Sequence, residues 1–152
     1  MPGYGIAGPD EGSGLLPWSW ATERLGASHD YWLASAWPDG RPHVMPVWRV
    51  WAEESLWFSC SPESRKTRNL DHDRRAVATT DDPLHPVVVE GTVERIRRAG
   101  AIEEFARRVD AKYHSHYGVE FFAGNASFRL SPIRVFGLDA ADFSGSPTRW
   151  CF

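Results

Sequence analysis

Cysteine is scarce in this chain. Cys60 and Cys151 are the only two in 152 residues, too far apart for a disulfide scaffold, and no C-x-x-C pair offers a metal-binding spacing. Long apolar runs are missing too: nothing approaches the roughly 18 residues of a membrane span. Neither charge sign dominates. Seventeen Lys and Arg stand against twenty Asp and Glu, for a net charge of -3. No overall basic field therefore favours nucleic acid. Residues 1–14 are rich in Gly and Pro and lack the apolar stretch of a signal peptide, so they read as a flexible arm, and a cytoplasmic location is expected. No Ser/His/Asp or paired-carboxylate constellation stands out. His114 and His116 fall on different helix faces with no third ligand, so no catalytic residue and no metal site is assigned.

Hydrophobic residues make up 42% and charged residues 24%, which suits a single soluble domain with a real core over residues 15–152. Eight tryptophans are many for this length: Trp18, Trp20, Trp32, Trp37, Trp48, Trp51, Trp57 and Trp150. Most read as core or subunit-interface filling, and a minority as stacking surfaces for a planar ligand.

The elements read in order. Trp18 to Leu25 suggests a short helix ending at Gly26. Asp30 to Trp37 is a strand, and Pro38-Asp39-Gly40-Arg41 a tight turn. His43 to Trp51 is a second strand, in which Pro46 implies an edge, a bulge or a backbone approached by a ligand. Strands follow at Ser55–Cys60, Arg75–Thr80, Pro86–Arg97 and Ala126–Leu138, with Gly91 marking a bulge or close approach. Ile102, Phe105, Val109 and Tyr113 define one face of a helix from Ala101 to His116. Residues 144–152 form a tail. Six strands with short helices predict a mainly β fold, an antiparallel barrel or sandwich.

The most informative stretch is Ser64-Arg65-Lys66-Thr67-Arg68-Asn69-Leu70. It places three cations within four positions, just after a strand. A helix starting near Ser61 or Ser64 aims free N–H groups and its positive dipole end at the same spot, an anion site suited to phosphate. The plainer reading is a solvated basic helix end.

Several segments occur in an order that resembles the pyridoxamine 5′-phosphate oxidase-like split β-barrel superfamily. They are Tyr31-Trp32-Leu33-Ala34-Ser35, Pro38 to Trp48, Leu56-Trp57-Phe58-Ser59, Ser64 to Leu70, and Val87 to Arg95. The subgroup most similar is the actinobacterial flavin/deazaflavin oxidoreductases, whose tail Ser146-Pro147-Thr148-Arg149-Trp150 resembles. The resemblance implies a six-stranded antiparallel split barrel, a homodimer, and a cofactor at the dimer interface. It puts the phosphate on Arg65 and Lys66, with Ser64 adding a contact. The backbone of Val44, Met45, Pro46, Val47 and Trp48 runs beside the ring, Ser59 and Cys60 touch the cofactor at a strand end, and Trp150 closes a site. His43 is either a ring or phosphate contact or a structural group. Arg68 is either a cofactor-anion contact or a helix-surface salt bridge.

An Arg forks two N–H groups onto phosphate oxygens and a Lys adds a point charge, so the chemistry agrees. The implied activity is hydride transfer from a flavin-type cofactor, coenzyme F-420 first and FMN second, to a small conjugated acceptor. F-420 carries an oligoglutamate tail, for which Arg41, Arg49 and Arg68 are candidate partners. The alternatives are a non-enzymatic flavin or haem carrier and a pyridoxamine phosphate oxidase-type FMN enzyme.

Overall fold

A computed structural model describes residues 5–8 and 11–152. Part of the expected N-terminal arm, residues 1–4 and 9–10, lies outside the described residues. Within the remainder of that stretch, the Ala7 N–H donates to the Ser144 carbonyl at 3.3 Å and the Gly14 N–H to the Gly145 carbonyl at 3.2 Å.

Helix α1 (Trp18–Ala27) precedes strands β1 (Tyr31–Ala36), β2 (Pro42–Val47), β3 (Arg49–Ala52) and β4 (Ser55–Cys60). Then come α2 (Arg65–His72), β5 (Arg75–Thr80), β6 (Val87–Ile96), α3 (Ala99–Tyr113), α4 (Gly118–Gly124), β7 (Ala126–Gly137) and β8 (Thr148–Cys151). All strand pairs are antiparallel, in the order β2-β1-β5-β6-β7-β4-β3, with β8 added to β7. The two ends of that order, β2 and β3, are separated in sequence by Trp48 alone. A sheet whose opposite edges are joined by one residue must curl back on itself. The result is the mainly β, antiparallel split barrel that the sequence led us to expect.

The barrel is divided into eight strands rather than six. The expected single strand from His43 to Trp51 breaks at Trp48, because its halves pair with different neighbours: β2 with β1, β3 with β4. The tail supplies the other, with Val135 opposite Trp150. Pro42 and Pro46 lie on the edge strand β2, where a missing N–H costs no ladder bond.

Period-2 alternation fills the barrel with Tyr31, Leu33, Val47, Leu56, Phe58, Ala76, Ala78, Val87, Val89, Phe128 and Leu130. Strand β4 is covered on both faces. Its outward Trp57 joins Val50 and Ala52 beneath α3, which contributes Ala101, Phe105, Ala106 and Val109. Carbonyls at and just beyond the α1 C-terminus receive two cations, and the Leu25 carbonyl also accepts from the Tyr31 hydroxyl at 2.8 Å. Arg49 Nη1 donates to the Leu25 carbonyl at 3.0 Å, and Lys112 Nζ to the Ser28 carbonyl at 2.6 Å. Arg49 is 1% exposed, so it is a buried cap and cannot serve a ligand's tail. Burial pulls its guanidinium below the ordinary value, yet an arginine at neutral pH remains a cation.

Candidate functional site

The chain runs along β1 as β2, leaves it at Trp48, and continues along β4 as β3. Strand β3 pairs with β4 only from Ser55 to Phe58, so Ser59 and Cys60 extend past its end, bonded on their other side to β7. Pro46 and Val47 leave along the opposite edge of the sheet. A cavity of about 480 Å³ occupies this fork. Pro46, Val47 and Trp48 line it, with Ser59, Cys60, Ser61 and Lys66. Phe105 and Val109 of α3 and Tyr117, Phe121, Phe122 and Asn125 around α4 complete the wall.

Among the described residues, no Asp or Glu lines this cavity, and Lys66 is the one cation on its wall. Trp48 is 47% exposed and stacks on Tyr113 with ring centroids 4.9 Å apart and planes 8° apart. Tyr117 stacks on Phe121 at 4.7 Å. Burial pushes the Cys60 thiol up to about 11, opposed by the charge of Lys66 and a hydrogen bond with Ser64. Cys60 is therefore a protonated wall group at neutral pH and not a nucleophile.

Helix α2 starts where the sequence placed its anion site. Ser64 is the N-cap: its Oγ accepts from the Thr67 N–H at 3.2 Å. Thr67 Oγ1 in turn donates to the Ser61 carbonyl at 2.8 Å. Arg65 and Lys66 are the first two helical residues. Among the described residues, Arg65, Lys66 and Arg68 have no carboxylate within ion-pair distance, a state they share with Arg24, Arg49, Arg74, Arg97, Arg98, Lys112 and Arg149, whereas Arg41, Arg75, Arg95, Arg107, Arg108, Arg129 and Arg134 each have at least one. The Arg65 guanidinium lies 3.6 Å from the centroid of the Trp37 ring, outside the cavity wall. Arg68 is exposed. Arg41 Nε donates to both carboxylate oxygens of Asp39, at 3.1 and 2.9 Å, so its charge is already matched.

The other expected site residues scatter. His43 faces Ser35 across β1 and β2, and its Nδ1 is buried without a partner. Asn69 Nδ2 donates to Ser35 Oγ at 3.1 Å, and Asn69 Oδ1 is likewise unpartnered. Val44 and Met45 lie on the exposed edge strand. Trp150 packs at 5.4 Å from Trp18, over a different part of the barrel, and does not line the cavity.

Sequence reasoning missed the α4 wall. Tyr117 and Phe121 are four residues apart and Gly124-Asn125 follows, a faint helix-and-stop signal. What holds α4 is Asp110 of α3. Its carboxylate accepts from Ser115 Oγ at 2.7 Å and from the N–H groups of Tyr117 and Gly118 at 3.2 and 3.3 Å. A carboxylate thus sits at the positive end of α4. These bonds, the Ser115 hydroxyl first, and the nearby His116 hold the Asp110 pKa below its ordinary value. A depressed native pKa means the tether is fully present above the unfolded pKa and is lost as pH falls through the native one. Asp110→Asn is expected to speed amide exchange across residues 117–124 at neutral pH while the barrel strands keep their protection. Unchanged exchange there would show that the Phe122 packing alone holds α4.

The outer face of the sheet is apolar and open along β1 and β2, where Trp32 and Val44 are exposed. Register sets Trp32 beside Pro46 and Thr79, Ala34 between Val44 and Val77, and Val88 between Thr79 and Phe136. A second hollow of about 460 Å³ lies on this face, with Ala34, Ala36, Pro42, Val77 and Ile133 on its wall beside the charged Asp73, Arg75, Glu90 and Arg134.

Among the described residues, no helix is long and apolar enough to cross a membrane. No curated protein resembles the chain closely enough in sequence to count as a relative. Solved structures do share its fold. The conserved protein Rv2991 of Mycobacterium tuberculosis is similar with a TM-score of 0.75 at 21% identity, over 82% of this chain and 86% of that one. An F-420 reductase is similar with a TM-score of 0.63 at 22% identity, over 74% and 93%. A FAD-binding protein of Mesorhizobium loti is similar with a TM-score of 0.66 at 22% identity, over 80% and 94%. In sequence, residues 21–145 match the family model described as pyridoxamine 5′-phosphate oxidase. With most of its length matched, the chain belongs to the pyridoxamine 5′-phosphate oxidase family.

Proposed function

We propose that this protein is a cytoplasmic oxidoreductase that binds a flavin-type cofactor, coenzyme F-420 before FMN, in the cavity at the barrel fork. One observation carries the reading: a cavity with aromatic walls and, among the described residues, no carboxylate opens beside Lys66 and Arg65, which no described carboxylate pairs. A phosphorylated, planar ligand suits both halves of that description. Lys66 and Arg65 would hold the phosphate at the start of α2, with the helix N–H groups beside them. The edge backbone of Pro46 and Val47 and the ring of Trp48 would orient the planar part. Phe105, Phe121 and Phe122 would exclude water from it. The buried, unpartnered His43 Nδ1 is a further polar group free for a ligand or a water.

When bound, such a cofactor supplies a hydride to a small conjugated acceptor, which is reduced as the cofactor is oxidised and takes its balancing proton from solvent. The protein's part is positioning and exclusion of water. The test is anaerobic mixing of the protein with reduced F-420, or reduced FMN, and menadione as a probe acceptor. Protein-dependent oxidation of the cofactor supports the enzyme. Tight binding with no added oxidation indicates a carrier instead.

A second copy of the chain is the partner we assign to the apolar outer face. Its exposed Trp32 and Val44, 47% and 49% accessible, lie on adjacent strands beside the second hollow. A contiguous apolar patch of this kind is characteristic of an interface. Trp32→Glu is expected to convert a dimer into a monomer in sedimentation velocity. A wild-type protein that sediments as a monomer at micromolar concentration would contradict the assignment.

A further inference from the structure

Arg65 lies over a tryptophan ring, as Arg24 does over Trp20, but at the start of a helix. It is the first residue of α2, and the next cations, Lys66 and Arg68, are close along the same helix. Like charges so close repel, and a carboxylate would be the usual relief. None is within ion-pair distance of Arg65 among the described residues. The guanidinium instead lies over the ring of Trp37, 3.6 Å from its centroid. The π-face of an indole attracts a cation without accepting a conventional hydrogen bond from it. A guanidinium held by its flat face keeps its N–H edge free. Among the described residues Arg65 side-chain donors have no hydrogen-bond acceptor, so its full fork is unspent.

Trp37 is itself held firmly. It follows β1 at the base of the hairpin turn, where its N–H donates to the Arg41 carbonyl at 2.8 Å and its carbonyl accepts from the Gly40 N–H at 2.8 Å. Gly40 has a φ of +87°, the backbone state the turn requires and glycine adopts at no steric cost. Arg41 also lies over the Trp37 ring, at 4.3 Å, but its charge is matched by Asp39. The hairpin therefore presents one aromatic ring to the start of α2, and of the two guanidinia on it only Arg65 has no carboxylate partner among the described residues.

We propose that Trp37 is a positioning residue for the anion site: its ring seats the Arg65 guanidinium at the α2 N-terminus while leaving the fork free for a phosphate. This rests on the reading that Arg65 and Lys66 bind the cofactor phosphate. A carboxylate in place of the ring would hold Arg65 equally well, but would neutralise it and repel the ligand. An aromatic ring positions the cation and leaves the site electropositive. Trp37 need not touch the cofactor, so its influence should appear only through Arg65 and only for a phosphorylated ligand.

The test compares ligands with and without the phosphate, by isothermal titration of the full-length protein. The pairs are FMN with riboflavin, and F-420 with its phosphate-free deazaflavin chromophore. Trp37→Leu is expected to weaken the phosphorylated member of a pair by about tenfold, the size of a partly desolvated cation–π contact, and to leave the other unchanged. Trp37→Phe keeps an aromatic face and should recover most of the loss. In an Arg65→Ala background, Trp37→Leu should add nothing, since its effect is routed through the missing guanidinium. Equal losses for both members of a pair, losses that multiply in the double variant, or no loss in Trp37→Leu would overturn the proposal. A different result marks failure of the underlying reading: wild-type protein that does not prefer the phosphorylated member, or Arg65→Ala that binds it normally. In that case this inference falls with it.

Discussion

Alanine at both Arg65 and Lys66 is expected to abolish measurable binding of FMN or F-420 at micromolar concentration while the protein stays folded. A hydrogen bond to a charged group contributes about 1.5–3 kcal/mol, and each cation offers at least one to a phosphate. Each single substitution should therefore weaken binding by about tenfold or more, and the pair by the product or beyond. Stability should barely move. Neither side chain donates a hydrogen bond or forms an ion pair among the described residues, and the Arg65 contact with Trp37 is half-exposed. Surface changes of that kind stay within about 0.5 kcal/mol. Removing the two charges also relieves mutual repulsion with Arg68. The check is calorimetric titration beside thermal unfolding of the same samples. A double variant that binds as tightly as wild type would remove the phosphate from this end of α2.

A second large effect is expected far from the cavity. Gly91→Ala should lower stability by about 1–3 kcal/mol, the usual range for forcing a methyl into a filled site. At about 2–4 °C per kcal/mol for a chain of this size, the melting temperature should fall by about 2–12 °C. The cause is a close crossing of backbones. A Cβ on Gly91 would overlap the Ser131 carbonyl oxygen, and Leu130 Cδ1 would lie 3.2 Å away. The obstructing atom is main chain in the paired strand β7, so it cannot swing aside. The register shifts at Glu90/Gly91, where Glu90 faces Arg134 and Gly91 faces Pro132. That bulge bends the two longest strands and helps the sheet curl. Differential scanning calorimetry of Gly91→Ala would test it, and an unchanged melting temperature would mean the crossing can relax without cost.

Gly91 also illustrates what the sequence made legible. A glycine inside a β-branched run has little reason to be there unless something approaches, and the approach is Ser131. Strands Ser55–Cys60 and Arg75–Thr80 could be read to the residue, because turn-forming or polar residues bound them on both sides. The α2 cap was readable for the same reason, since Ser64 with Thr67 is local chemistry. What escaped depends on partners distant in sequence. Nothing in His43 to Trp51 says that its halves pair with opposite ends of one sheet. The short strand Thr148–Cys151 exists only because β7 is long enough to offer it an edge. Arg49 reads as a candidate partner for a cofactor's tail, yet it is buried and donates to the Leu25 carbonyl of α1. Helix α4 is seven residues long and mostly exposed, so its pattern carries little of the amphipathic signal that marked α3. Six of the cavity's residues, Phe105 and Val109 of α3 and Tyr117, Phe121, Phe122 and Asn125 around α4, were not suggested by the motif.

The central claim is that the fork cavity and the start of α2 together hold a phosphorylated planar cofactor. It is tested most directly by titrating the purified protein with F-420 and, separately, FMN, following tryptophan fluorescence. Trp48 lies on the cavity wall and Trp37 beneath Arg65, so a ring bound in the fork should quench the emission. Saturable quenching at micromolar or lower concentration, tighter for F-420 than for FMN and lost in the Arg65→Ala/Lys66→Ala protein, is the predicted result. No saturable quenching by either ligand, with calorimetry equally silent, would contradict it.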